Sequence, residues 1–193
     1  MAAPDRQYED YAHYLRGRSA VAWFYRRYWL YPRLSRHLHG QVLDVGSGIG
    51  DFVAFRPGTI GVDVNPVAVE WCRKSGLEVR LMQPDVLPFG DRAFQGVVLD
   101  NVLEHLSEPH ALLHEIARVT SPGATLIVGV PGQRGYAADP DHKVFYDQVR
   151  LVSTVSAAGF SFHRLLHAPI RFAWLERRLP QYCLYGVFHR AGN

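Results

Sequence analysis

The stretch Leu43-Asp44-Val45-Gly46-Ser47-Gly48-Ile49-Gly50-Asp51 restricts the fold of this 193-residue chain more than any other. Its lead-in, Val42–Val45, is short and apolar, as in a buried strand. Three glycines at alternate positions then point to a tight turn, because glycine enters positive φ without a Cβ penalty. A strand that turns so sharply into a helix leaves bare backbone for a ligand to lie against. Taken alone, the stretch is also compatible with a turn that merely packs.

From Gln41 onward, strand-like apolar runs alternate with helical spacing, which predicts an α/β fold with a parallel sheet. Strands are expected at Val42–Val45, Thr59–Val64, Glu78–Met82, Gly96–Asp100, Thr125–Val130, Phe160–His167 and Cys183–Arg190. Helices are expected at Pro66–Ser75, with proline at a favoured first-turn position, and at Glu108–Thr120, whose face is Leu112, Leu113, Ile116 and Val119. Ser121-Pro122-Gly123 reads as the stop of the latter, Gly132–Asp141 as a loop, and Asp147–Ala158 as a helix closed by Gly159. Between the last two strands, Trp174, Leu175 and Leu179 share a helical face. The first 40 residues read as two or three helices, with Pro32 breaking or restarting one and Gly40 ending the segment. The expected organisation is a helical lid or extension at 1–40 and a cofactor-binding domain at 41–193.

Asp63 stands at the end of the second expected strand, 19 residues after Asp44, where an acid accepts hydrogen bonds from ribose hydroxyls. Dinucleotide enzymes place an acid there too. Their GxGxxG fingerprint would put a third glycine at position 51, however, and Asp51 occupies it. A pyrophosphate binds through backbone amides and a helix dipole that favour anions, and an acid at that helix start opposes it. The carboxylates of Asp44 and Asp51 suit a ligand that carries a sulfonium and an amino group.

Further along the chain come Pro84–Phe89 with Asp85, then Asp91–Val98, Asn101–Leu106 and Arg118–Ala124. In this order the motifs resemble those of the class I S-adenosylmethionine-dependent methyltransferases, in the broad small-molecule group that includes the ubiquinone and menaquinone enzymes. The resemblance covers residues 41–131 by motif and extends to 190 by strand order. It implies a Rossmann-like, seven-stranded, mostly parallel sheet with strand seven antiparallel and helices on both faces. It implies S-adenosyl-L-methionine as cofactor and S-adenosyl-L-homocysteine as product. Leu43–Gly50, with Asp44, Gly46, Ser47, Gly48 and Gly50, would hold the methionine moiety. Asp63 and Val64 would meet the ribose, Asp85 and Val86 the adenine, and Asn101, Val102 and His105 would lie beside the cofactor. Plainer roles stay open: Asp85 capping a turn, and His105 packing in the core.

Asp139–Tyr146 follows the fifth strand, at the carboxyl edge where open α/β sheets bind ligands. Methyl transfer to oxygen requires alignment and removal of a proton. An unperturbed histidine, with pKa about 6.5, suits that task. His142, oriented by Asp141, is the expected base, with His105 a second candidate. The alternative is that Asp141 and His142 cap the following helix or pair on the surface. Tyr146, together with Tyr8, Tyr11, Tyr14 and Arg18 of the N-terminal segment, is expected to line the acceptor site. Those N-terminal side chains could instead simply cover the sheet.

Charge is uneven: residues 1–40 hold seven arginines against three acids, and nine of the 24 aromatics. That basic segment is short, whereas nucleic-acid binding needs a broader basic face. The fourth strand exits through Asp100-Asn101-Val102-Leu103, unlike the Asn/Asp-Pro-Pro-aromatic motif of adenine amino-methylases, and no Pro-Cys nucleophile occurs. Nucleic acid is therefore not the expected partner; a small acceptor is, for instance a sugar, a lipid or quinone precursor, or a secondary metabolite. Cys72 and Cys183 lack CxxC spacing, so no metal site is expected and both are read as reduced and buried. The sequence shows no signal peptide and no membrane span, so the expected setting is cytoplasmic, as a monomer or homodimer. The competing readings are an NAD-dependent oxidoreductase and a binding protein that keeps the cofactor fold without chemistry.

Overall fold

A computed structural model describes residues 8, 9, 17, 19–170 and 182–192. Its sheet contains seven strands: β1 Val42–Val45, β2 Thr59–Asp63, β3 Val79–Leu81, β4 Phe94–Asp100, β5 Thr120–Pro131, β6 Phe160–Ala168 and β7 Cys183–Arg190. Their order across the sheet is β3-β2-β1-β4-β5-β7-β6. The first five pair in parallel, and β7 runs antiparallel to both β5 and β6. This is the Rossmann-like arrangement that the resemblance implies.

The described helices are α1 Ala20–Tyr25, a π-helical turn Arg26–Leu30, α2 Tyr31–Ser35, α3 Asp51–Phe55, α4 Pro66–Lys74, a 3₁₀ turn Leu103–His105, α5 His110–Val119, α6 Gln133–Ala138 and α7 Gln148–Ala157. Ser19 caps α1 by accepting from Ala22 N at 3.2 Å. Asn65 caps α4, accepting from Val67 N and Ala68 N, and Asp147 caps α7, accepting from Arg150 N. Pro32 neither breaks nor restarts a helix: Leu30 and Tyr31 before it keep helical dihedrals, and α1, the π turn and α2 form one uninterrupted run from Ala20 to Ser35.

Side chains alternate along the central strands and bury both faces. Val42, Val98 and Ile127 face Leu30, Tyr31, Leu34 and Leu38, with Tyr31 edge-on to Phe52 at 5.2 Å between ring centroids. Leu43, Val97, Leu99, Leu126 and Val128 belong to the opposite core, with Leu112, Leu113 and Ile116 of α5 and Leu151 and Val155 of α7. Burying each such aliphatic side chain contributes about 1.5–3 kcal/mol. Residues 30–38 are thus part of the core under the sheet.

Three further expectations need correction. Residues 133–138 form α6, where a loop was expected; Gly132 precedes it in extended backbone. Ser121-Pro122-Gly123 does not end a helix before a separate strand. Instead β5 begins at Thr120, paired with Phe94, and the three residues are absorbed where the register shifts between Phe94 and Gly96. Cys72 is buried, but Cys183 is only partly so. Among the described residues, no helix is long and apolar enough to cross a membrane.

Candidate functional site

The strand order reverses between β1 and β4, and such a switch opens a crevice at the carboxyl ends of the strands. The glycine turn forms its floor, and the turn's backbone amides are already engaged. Gly46 N and Ser47 N donate to Val62 O at 2.9 and 3.0 Å, and Gly50 N donates to Ser47 O at 2.9 Å. Gly48 N donates to Asp63 Oδ2 at 2.7 Å, while Asp63 Oδ1 accepts from Asn65 N at 2.8 Å. Gly46 has φ 73°, and a Cβ there would lie 2.4 Å from Val102 Cγ2. Gly50, at φ 79°, starts α3 in the left-handed region. The turn therefore packs β1 closely against the exit of β4 and keeps few donors for an anion.

What the crevice offers is a cluster of carboxyl groups. Asp44 is 4% exposed, and burial, then the neighbouring Asp100 and Asp63, push its carboxyl up to about 8. Burial also raises Asp63, opposed by the amides of Asn65 and Gly48. Asp100 is paired with Arg26 of the π turn, Nη2 to Oδ2 at 2.7 Å, and Arg26 Nε also donates to the Tyr31 hydroxyl at 3.0 Å. The folded state thus holds a proton on Asp44 that the unfolded chain, with a carboxyl near 3.9, would release. Native protein then binds more protons than unfolded protein, so this group's contribution to stability falls as pH rises from about 4 to about 8. We expect Asp44→Asn to gain stability relative to the unsubstituted protein across that window, as urea titrations at pH 5, 6.5 and 8 would measure. An equal difference at all three would show that Asp44 is ionised throughout.

Around the rim, Asp85 and Asn101 adopt left-handed backbone, at φ 59° and 56°. Asn101 Nδ2 donates to Asp100 Oδ1 at 2.9 Å. Among the described residues the Asp85 carboxylate accepts no hydrogen bond, so it does not cap its turn. Val64 and Val86, beside the two rim acids, are 40% and 51% exposed, unusual for valine next to a core. The Ser47 hydroxyl is buried without a partner and lies 2.8 Å from where a Cβ on Gly61 would stand.

Beyond Val102, the 3₁₀ turn and the 139–146 segment meet. Lys143 N and Val144 N both donate to Glu104 O, at 2.7 and 3.1 Å, fastening the segment to the turn. This brings the His105 and His142 rings to 4.7 Å between centroids. His142 Nδ1 lies 2.9 Å from Tyr136 O, and Nε2 lies 3.8 Å from Asp139 Oδ2 and 3.9 Å from Glu104 Oε1. The Tyr136 carbonyl of α6 therefore orients His142, and the expected Asp141 carboxylate does not. Asp141 contributes its own carbonyl, 3.4 Å from His105 Nδ1. Glu104 is 1% exposed with both carboxylate oxygens unpartnered, and burial pushes it up to about 8. Burial and the neighbouring His142 lower His105.

Glu104 was missed in the sequence, although it immediately precedes His105. Tyr146 is corrected: at 2% exposure it is a core side chain and does not line the crevice. Tyr8 is half-buried and its carbonyl accepts from Asn65 Nδ2 at 3.0 Å, which puts its backbone beside the rim. Tyr11, Tyr14 and Arg18 lie outside the described residues.

A methyltransferase domain family matches residues 43–128, from the first strand through the fifth. The chain carries a class I methyltransferase domain. It is 31% identical to a probable S-adenosylmethionine-dependent methyltransferase of Mycobacterium tuberculosis, over 76% of this chain and 60% of that protein. It is 31% identical to a probable tRNA methyltransferase 9B of Mus musculus, over 64% and 28%. It is 29% identical to a ubiquinone/menaquinone biosynthesis C-methyltransferase of Desulfotalea psychrophila, over 46% and 40%. In fold it is similar to one chain of a complex between the Haloferax volcanii Trm112 methyltransferase activator and a methyltransferase, with a TM-score of 0.73 at 19% identity, over 96% of this chain and 98% of that one. The chain spans less than half the length of the first curated relatives it matches. The class I domain accounts for the strand order, for the glycine turn beneath the switch point, and for the acids at the ends of β1, β2 and β4.

Proposed function

We propose that this methyltransferase domain binds S-adenosyl-L-methionine in the crevice and directs its methyl group to a small acceptor, at oxygen. The observation that carries the reading is the engagement of the turn amides at Gly46, Ser47, Gly48 and Gly50. A dinucleotide's pyrophosphate needs such amides free. A sulfonium and an ammonium need carboxylates, which Asp51 and Asp63 supply, joined by Asp44 when the cationic ligand displaces its proton. The Asp63 oxygens each retain lone-pair capacity for ribose hydroxyls beyond the amides they accept. Asp85 is the acceptor for an adenine amino group, and the exposed Val64 and Val86 suit the faces of an apolar ring. Product S-adenosyl-L-homocysteine binds in the same place.

Bound there, the cofactor supplies an electrophilic methyl group. The chain's own work is to align the acceptor and remove its proton. In the neutral tautomer that donates Nδ1–H to the Tyr136 carbonyl, His142 keeps a lone pair on Nε2 facing Glu104 and Asp139. We assign proton removal to this cluster of His142, His105, Glu104 and Asp139. A small acceptor is supported by the absence of the adenine and cytosine methylase motifs from this chain.

The test incubates the protein with methyl-labelled S-adenosylmethionine and separate pools of small metabolites and transfer RNA. Label in a small-molecule pool is expected. Label in RNA alone would overturn the acceptor assignment, and NAD binding without S-adenosylmethionine binding would overturn the cofactor. His142→Ala should lower turnover about 100-fold, with cofactor affinity, followed by calorimetry, within about twofold. Full turnover in that variant would remove His142 from the chemistry.

A further inference from the structure

Glu104 presents an unresolved problem inside the fold. Its side chain is 1% exposed and neither carboxylate oxygen has a hydrogen-bond partner. A buried carboxyl without partners costs free energy unless something neutralises it. Its Oε1 lies 3.9 Å from His142 Nε2, whose ring is set by the contact of Nδ1 with the Tyr136 carbonyl. Potential ligand atoms thus converge with no hydrogen bond to the Glu104 carboxyl. The donor atoms of Glu104, His105 and His142 all lie within 4.8 Å of one another, and Asp139 Oδ2 stands 3.8 Å from His142 Nε2. Two ligands on an ion with bonds of about 2.0–2.2 Å lie about 3–4 Å apart, so small side-chain adjustments suffice. The scaffold is already braced, because Lys143 N and Val144 N hold the His142 segment to the Glu104 carbonyl.

We propose that Glu104, His105 and His142, assisted by Asp139, form a binding site for a divalent transition-metal cation. Two imidazoles and a carboxylate favour ions such as zinc or manganese over calcium or magnesium, whose preferred donors are all oxygen. Three protein donors leave a coordination position for a further ligand. In a role that rests on the methyl-transfer reading, an acceptor hydroxyl takes that position. With the imidazole lone pairs on the ion, the hydroxyl's proton would pass to solvent water in place of the histidine. Its oxygen would then bond to the methyl carbon as the C–S bond breaks, that bond's electron pair returning to sulfur and releasing S-adenosyl-L-homocysteine. Ion binding itself does not depend on that reading.

The experiment uses full-length chain without an affinity tag, stripped with EDTA, and measures zinc and manganese binding by calorimetry and by metal analysis after desalting. One equivalent of zinc per chain with at least micromolar affinity is expected, together with a raised melting temperature. Glu104→Gln and His142→Ala should each weaken binding tenfold or more while circular dichroism shows the fold retained. A His163→Ala/His189→Ala variant removes the other close histidine pair, whose centroids lie 4.9 Å apart, and should bind as before. Absence of zinc and manganese binding at 100 μM, or unchanged stoichiometry in Glu104→Gln, would overturn the site. Labelled methyl transfer that survives EDTA, with zinc still bound by untreated protein, would leave the ion in place but overturn its role on the acceptor.

Discussion

Replacing Asp63 by alanine is expected to abolish cofactor binding and to lower stability by about 3 kcal/mol, because two backbone amides then lose a charged acceptor in a buried setting. Those amides belong to Gly48 and Asn65, at 2.7 and 2.8 Å. The first holds the glycine turn against β2 and the second leads into the cap of α4. For a chain of this size the loss corresponds to a melting temperature lower by about 6–12 °C. Affinity for S-adenosylmethionine should fall at least 100-fold. Asp63→Asn keeps one carbonyl acceptor and should lose less stability while still binding poorly. Scanning fluorimetry and calorimetry on the two variants separate the structural share from the ligand's share. Wild-type cofactor affinity in the alanine variant would remove Asp63 from the site.

Arg26→Ala should be comparably damaging, although Arg26 belongs to no motif. Its guanidinium pairs with Asp100 at 2.7 Å, with side-chain exposures of 20% and 12%. Removing one member of a largely buried pair leaves the other unpaired, at a cost of about 3–5 kcal/mol. The residual exposure argues for the lower end. Arg26→Ala/Asp100→Asn relieves the stranded charge and should recover part of the loss. A double-mutant cycle by urea denaturation reads the coupling directly. Strict additivity would show that the pair contributes nothing of its own.

The strands were legible because each is an apolar run between turn residues, and parallel strands buried on both faces read that way. The glycine turn and the place of Asp63 at the end of β2 were legible because alternate glycines and an acid at a strand end have few other uses. Residues 133–138 were not, since Gly132, Gly135 and Pro140 look like loop punctuation, and a single short helix with no buried side chain leaves no apolar periodicity to read. Glu104 went unnoticed because a lone glutamate in a helical pattern normally faces water, and its burial depends on a segment some 40 residues away folding back over it. The orientation of His142 by a backbone carbonyl leaves no trace in residue type, so Asp141, adjacent in sequence, was the natural but mistaken choice. Tyr146 was misplaced for a related reason: an aromatic beside a ligand-binding edge has the same letter whether it points into the crevice or into the core.

The order of the groups along the chain also divides the labour. The groups assigned to the cofactor all fall between Asp44 and Val102, in the turns after four consecutive strands. The groups assigned to the acceptor's proton and to a metal come later, between Glu104 and His142. Evolution, or an engineer, can therefore exchange the α6 segment to change what is methylated while leaving the grip on the methyl donor untouched. Only the two backbone hydrogen bonds onto Glu104 need to be conserved for the new segment to dock.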